Sequence, residues 1–339
     1  MKTVTLGKTN LLVPQLAFGA LPIQRTEMDL AVRILRKAYD NGITFFDTAR
    51  GYSDSEAKLG RAFAGVRQKV VIATKTWASD AKTARDHLET SLRELRTDYV
   101  DILQLHNPDA MPDPAEETTA YAALAAAKRQ GLVRHIGLSS HRAPLARQAV
   151  LSGLFDTLQF PVSHISSPDD LSLIELCRRH NVGLIGMKAL CGGLITNIPA
   201  AFAFLRQFDN LAPIWGIQHD WELDQFLALE RNPPELTPGL QQTIEADRKD
   251  LAASFCRACG YCLPCPADIP IPMAARMSFL LRRAPYRQFL SDDWRQKMHR
   301  IENCTQCRSC ADKCPYGLDT PALLKLMLRD YEEFAAAHV

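Results

Sequence analysis

The sequence lacks most of the features that would place a protein quickly. Forty lysines and arginines nearly cancel 38 aspartates and glutamates, leaving a formal charge of +2 over 339 residues. That balance gives no electrostatic case for nucleic acid or an anionic membrane as a partner. No run approaches the ~20 consecutive apolar residues of a membrane helix. Met1–Asn10 has no apolar core of a signal peptide. No GxGxxG follows the first strand-like run, which weakens an open dinucleotide-binding sheet. Cysteine is nearly absent from the first 255 residues, where only Cys177 and Cys191 occur. What is present is the ordinary mix of a soluble globular protein, 47% apolar and 23% charged. At roughly 150 residues per domain, the length allows two domains or one large α/β barrel with an appendage. The remaining eight cysteines crowd between Cys256 and Cys314. A secreted disulfide scaffold would not place them behind a long cysteine-poor region, so they read as thiolates in a reducing cytosol and the protein as cytoplasmic.

Residues 15–230 alternate two signals. Short β-rich runs occur at Gln15–Leu21, Thr44–Ala49, Val70–Thr76, Val100–His106, Val133–Ser139, Thr157–Ser163, Gly183–Ala189 and Ala212–Gln218. Between them lie stretches of helical spacing, such as Asp29–Tyr39, with Leu30, Ile34, Leu35 and Ala38 on one face, and Ala84–Leu95. Eight strand–helix units predict an α/β fold of the (β/α)8 TIM-barrel kind, with a doubly wound open sheet as the alternative. Gly7-Lys8-Thr9-Asn10 reads as the turn of a hairpin preceding the barrel.

Catalytic side chains of such barrels sit at the C-terminal ends of strands. Asp47, Lys75 and His106 close the second, third and fourth runs, and Tyr52 follows Asp47 by five residues. A lone charge at a strand end is usually a solvated rim residue; four chemically matched groups on consecutive units are harder to dismiss. The set suits carbonyl reduction. A tyrosine hydroxyl, with an ordinary pKa of about 10, becomes a usable acid beside a cationic lysine. A carboxylate holds the lysine, and a histidine orients the carbonyl oxygen.

Phe46-Asp47-Thr48-Ala49 with Tyr52, Ser55-Glu56-Ala57-Lys58-Leu59-Gly60, the Lys75 strand and Leu105-His106-Asn107-Pro108 together resemble the aldo-keto reductase family over about residues 3–230. The resemblance implies an NAD(P)H-dependent enzyme interconverting a small carbonyl and an alcohol. Its catalytic residues would be Asp47, Tyr52, Lys75 and His106, with Tyr52 as proton donor. It also implies that Ser139 and Gln159 hold the nicotinamide carboxamide and that Asp47 lies near the nicotinamide ribose. Met187 stands where many members stack an aromatic residue on the nicotinamide ring. Members usually carry basic residues after the eighth strand to grip the 2′-phosphate of NADP; here that stretch holds Asp220, Glu222 and Asp224, with Gln218 and His219 as the polar grips. This departure leaves NADH open beside NADPH; acidic residues also suit a helix start on their own account.

Asn232-Pro233-Pro234 and Thr237-Pro238-Gly239 mark a linker, dividing the chain into a barrel over residues 1–235 and a small, mainly α region over residues 240–339. A polar helix is expected near Gln241–Phe255 and another over Met273–Arg283. Between and after them run Cys256-x2-Cys259-x2-Cys262-x2-Cys265-Pro266 and, 38 residues on, Cys304-x2-Cys307-x2-Cys310-x3-Cys314-Pro315. The second run has the spacing of bacterial ferredoxins. Zinc, usually held by two cysteine pairs, explains such triplets poorly. Following ferredoxin cross-ligation, one [4Fe–4S] cluster falls to Cys256, Cys259, Cys262 and Cys314, and a second to Cys304, Cys307, Cys310 and Cys265; a single cluster beside a vestigial site is the alternative. The intervening basic residues, Arg276 to Arg300, serve as charge compensation or as a docking face for an electron-carrier protein. Cys177 reads as a buried small hydrophobe. Trp77, His141 and His164 are candidates for the substrate pocket. The combination resembles ferredoxin-containing aldo-keto reductases, in which the clusters would be structural, regulatory or an electron port. The alternative is an electron-transfer protein whose clusters are the working centres. That reading must explain how a two-electron hydride couples to one-electron clusters without a flavin.

Overall fold

A computed structural model of the chain describes residues 1–251, 255–283 and 286–338. The turn at Gly7–Asn10 joins β1 (Thr3–Thr5) to β2 (Leu12–Pro14) in an antiparallel hairpin with Val4 opposite Val13. The hairpin's Val4, Leu6 and Val13 pack against the inward-facing Phe45, Ala73 and Ile185 of the sheet that follows.

Eight parallel strands close that sheet: β3 (Ala17–Gly19), β4 (Phe45–Asp47), β5 (Val71–Thr76), β6 (Val100–His106), β7 (Val133–Ser139), β8 (Thr157–Pro161), β9 (Gly183–Met187) and β10 (Leu211–Gly216), with β10 pairing back onto β3. After each strand comes a helix: α1 (Met28–Asp40), α2 (Ser55–Ala62), α3 (Ala81–Leu95), α4 (Ala120–Arg129), α5 (Ala143–Leu151), α6 (Pro168–Arg179), α7 (Ile198–Arg206) and α8 (Asp220–Arg231). This is the closed (β/α)8 barrel; the open sheet is excluded. Strand β3 is shorter than the run Gln15–Leu21 because only Phe18 and Gly19 are in register with β4. Helix α1 buries Ala31, Ile34, Leu35 and Ala38, while Leu30, expected on that face, lies at its edge and is exposed. Gly60 lets α2 approach α3, since a Cβ there would fall 2.1 Å from Glu94 O.

The chain divides into two compact units, Met1–Ala189 with Pro199–Thr237, and Leu190–Ile198 with Pro238–Val339. The segment following β9 belongs to the second unit, and the other boundary, between Thr237 and Pro238, falls in the expected linker. In that unit α9 (Pro238–Leu251) begins three residues before the expected polar helix, at a proline suited to a first helical turn. Phe255 is outside it, and positions 252–254 of that expectation lie outside the described residues. Met273–Arg283 is not one helix but parts of α10 (Ile271–Ala274) and α11 (Met277–Arg283). Helices α12 (Asp292–His299), α13 (Ser309–Asp312) and α14 (Thr320–His338) complete the unit. Its core gathers Ile271, Met277, Phe289, Met298, Leu324 and Tyr331, with Cys256, Cys262, Cys265, Cys304 and Cys310 packed against it. Among the described residues no helix is long and apolar enough to cross a membrane.

Candidate functional site

Strand alternation decides which side chains enter the barrel mouth. Asp47 ends β4, Lys75 lies one residue from the end of β5, and His106 ends β6. Lys75 Nζ donates to both carboxylate oxygens of Asp47, at 2.7 and 2.8 Å, and to Thr48 O at 2.6 Å. The half-buried Tyr52 closes over this pair, its ring centroid 5.3 Å from Lys75 Nζ. The His106 ring meets Tyr52 edge-on at 5.9 Å. All four residues read from the strand ends therefore converge.

Burial raises the Asp47 carboxyl pKa, while Lys75, Gln159 and Gln104 pull it back down. Burial lowers the Lys75 amine, and Asp47 opposes that. The two-oxygen contact is the arrangement in which a buried pair holds its charges, each ion being the other's solvent. Burial, with help from Lys75 and Lys188, pushes His106 down to about 3. At neutral pH its ring is therefore uncharged, with one N–H to donate.

Two networks supporting this group were not read from the sequence. Gln104 Nε2 donates to Gln159 Oε1 at 2.7 Å, and Gln159 Nε2 donates to Asp47 Oδ1 at 3.3 Å. The signal for Gln104 was its place two residues before His106, on the same strand face. Below the Tyr52 loop, the buried Glu56 accepts from Thr74 Oγ1 at 2.6 Å and pairs with Arg50, which also reaches Glu94 at 2.9 Å. Burial pushes the Glu56 carboxyl up, against Thr74, Ser91 and Arg50.

The expected cofactor residues are more dispersed. Ser139 ends β7; its hydroxyl accepts from the Asn107 N–H at 3.2 Å and donates to Leu105 O at 3.4 Å. Met187 ends β9, half-buried against the barrel's inner residues. Gln218 precedes α8, where Glu222 accepts from the backbone N–H groups of Gln218 and His219 at 2.6 and 2.8 Å. Asp220 and Asp224 both pair with Lys37. Gln159 keeps a second N–H and a second lone pair beyond its bonds to Gln104 and Asp47, and Ser139 keeps a lone pair, which suits the one carbonyl and one amino group of a carboxamide. Trp77 is exposed, with its ring beside Gly51 and against His87. His141 and His164 are buried, and His164 packs on Phe204, so neither presents a free face. Cys177 is fully buried, its thiol pushed up to about 12 by desolvation.

The eight clustered cysteines line two recesses in the second unit. One is bounded by Cys256, Cys259, Cys262 and Cys314; the other by Cys265, Cys304, Cys307 and Cys310, with Cys262 shared. The runs have matched backbones. Residues two and four beyond the first cysteine are left-handed in both, at Ala258 and Gly260 and again at Gln306 and Arg308. Three residues past each final cysteine stands another left-handed residue, Asp268 or Gly317. Its N–H donates to the Cys265 or Cys314 carbonyl at 3.0 or 3.2 Å. The irregular spacing before Cys265 therefore leaves its local turn unchanged. Burial and the neighbouring Cys256 and Cys259 push the Cys262 thiol up to about 12. Thiols crowded this way fit a cationic metal centre, which favours their deprotonated form.

The closed barrel thus carries a buried Lys–Asp pair under a tyrosine at the C-terminal ends of its strands. Residues 15–204, more than half the chain, match the sequence model of the aldo/keto reductase family, and the chain belongs to that family. Residues 255–319 match a 4Fe-4S dicluster domain. Among curated relatives, the methylglyoxal reductase DkgA of Yersinia pestis is 37% identical over 135 residues, covering 39% of this chain and 47% of that one. The aldo-keto reductase YhdN of Bacillus subtilis is 30% identical over 194 residues, covering 53% and 58%. The chain thus spans about half the length of these relatives. An aldo-keto reductase from Klebsiella pneumoniae, solved in complex with NADPH, superposes with a TM-score of 0.61 over 72% of this chain and 94% of that one. At 22% identity this last likeness shows the fold alone.

Proposed function

We propose that the barrel, residues 1–235, interconverts a small carbonyl compound and its alcohol with NAD(P)H. In this reading the region over residues 240–339 carries two [4Fe–4S] clusters in the cytoplasm. The observation that carries the barrel reading is the buried Lys75–Asp47 pair beneath the Tyr52 ring. Bound nicotinamide would supply or accept the hydride at the carbonyl carbon. Tyr52 gives its phenolic proton to the carbonyl oxygen. Lys75, held by Asp47 and Thr48 O, lowers the cost of the phenolate left behind. The neutral His106 donates to the same oxygen and orients it. Asp47, Ser139, Gln159, Met187 and Gln218 form the nicotinamide site. The methylglyoxal reductase relatives support a small aldehyde as substrate.

The acidic start of α8 supports NADH over NADPH. Glu222 already occupies the backbone N–H groups of Gln218 and His219, and Lys37 is committed to Asp220 and Asp224. A 2′-phosphate placed there would meet three carboxylates. The matched cysteine runs support cross-ligation, with Cys314 completing the Cys256 set and Cys265 the Cys304 set. The basic stretch supports charge compensation within the unit more than the docking of an electron carrier. Arg282 pairs with Asp330, Lys297 with Asp293, and Arg300 donates to Asp268 O.

The test is Tyr52→Phe, assayed with a small aldehyde and each nicotinamide in turn. Turnover should fall by about 10²–10⁴-fold with nucleotide binding retained, and wild type should favour NADH. Unchanged turnover removes Tyr52 from its role, and a clear NADPH preference removes the reading of α8.

A further inference from the structure

Arg276 lies just before α11 and is only 4% exposed. Arginine stays protonated in proteins, so this is a buried cation that needs an anion. Its guanidinium donates to Pro272 O at 3.0 Å, Gly192 O at 3.1 Å and Cys191 O at 3.5 Å, and touches Met273 Sδ. Among the described residues none of its partners is a carboxylate. The Pro272 carbonyl that accepts from Arg276 also stands 4.0 Å from Cys256 Sγ. On the opposite side, Cys191, Gly192 and Gly193 are all left-handed, which turns two successive carbonyls toward one guanidinium nitrogen. A Cβ at Gly192 would come within 2.7 Å of that nitrogen. Among the described residues the recess around Cys304 has no comparable buried cation: Arg308, which lines it, is mostly exposed and faces Asp319.

Resting on the cluster reading above, we propose that Arg276 is the buried counter-charge of the cluster held by Cys256, Cys259, Cys262 and Cys314. It raises that cluster's reduction potential above that of its neighbour while fixing segment Leu190–Ile198 beside it. One-electron reduction adds a negative charge to the cluster, and a desolvated cation nearby stabilises the reduced form more than the oxidised one. Arg276 is a positioning residue and touches no reacting atom of the barrel site.

The experiment is an anaerobic dithionite titration of the full chain, followed by electron paramagnetic resonance, for wild type, Arg276→Met and Arg276→Lys. Each signal is assigned by its loss in Cys259→Ser or Cys307→Ser. In Arg276→Met the reduced-to-oxidised ratio of the Cys256 cluster at fixed potential should fall at least ~10-fold, which is about 59 mV for a one-electron couple. The other cluster should not move, and Arg276→Lys should stay near wild type. No shift, or an equal shift of both clusters, overturns the proposal. If Arg276→Met loses iron, Arg276→Lys decides. Full iron and a wild-type potential uphold the charge role, whereas iron loss in both variants reduces Arg276 to packing and overturns it. Wild type without iron and sulfide would instead defeat the cluster reading itself.

Discussion

The barrel and the cysteine unit treat buried charge in opposite ways. In the barrel every buried ion has its partner from the chain: Lys75 with Asp47, Glu56 with Arg50, Asp101 with Arg67 and Arg134. In the cysteine unit the thiols face one another around open recesses, and among the described residues the buried guanidinium of Arg276 has backbone and sulfur partners but no carboxylate. The first region is electrostatically complete as a polypeptide. On the proposed reading, the second is completed by an inorganic centre that would act as part of its core.

That contrast can be broken most forcefully by removing metal. Chelation under anaerobic conditions should abolish amide protection across residues 255–338 while strands β6 and β7 keep theirs, as read by hydrogen exchange. Simultaneous loss in both units would show that the barrel depends on the same centre. The next effect is smaller and lies within the barrel. Lys75→Met strands Asp47 without its cation and should cost about 3–5 kcal/mol in denaturant unfolding. A loss below about 1 kcal/mol would place the pair among solvent-exposed bridges. The smallest effect is a pH dependence. His106 titrates at about 3 in the folded chain, well below its ordinary value. The unfolded state therefore binds more protons between these values. The contribution of His106 to stability is full above about pH 6.5 and is lost as pH falls toward about 3. The unfolding midpoint of His106→Gln should accordingly fall less than that of wild type between about pH 7 and pH 4.5; identical falls would show that His106 is not held neutral.

The barrel was legible because its signal is periodic. Val100–His106 and Val133–Ser139 are bounded on both sides by turns, and the strands end where those runs end. Short strands such as β3 are clipped by register with a neighbour, which a single run of residues does not reveal. The placement of Asp47, Lys75 and His106 followed from strand ends alone. Gln104 and Arg50, and the buried pairing of Glu56, were not legible because their importance lies in contacts across strands and helices. Helix breaks in the second unit were missed for a related reason. The stretch from Met273 to Arg283 has good helical spacing, but Arg276 turns inward to the carbonyls of residues 191 and 192, a demand that arises only in three dimensions. The cysteine spacing announced its chemistry, yet the equivalence of the Cys265 and Cys314 turns is a backbone property that spacing concealed.

Whether one chain joins a hydride site to two iron–sulfur clusters is tested most directly by iron and acid-labile sulfide analysis of anaerobically purified full-length protein. About eight of each per chain are expected, four for each [4Fe–4S] centre. Zinc without sulfide would contradict it outright, and four of each would reduce the matched cysteine runs to one working site and one vestige.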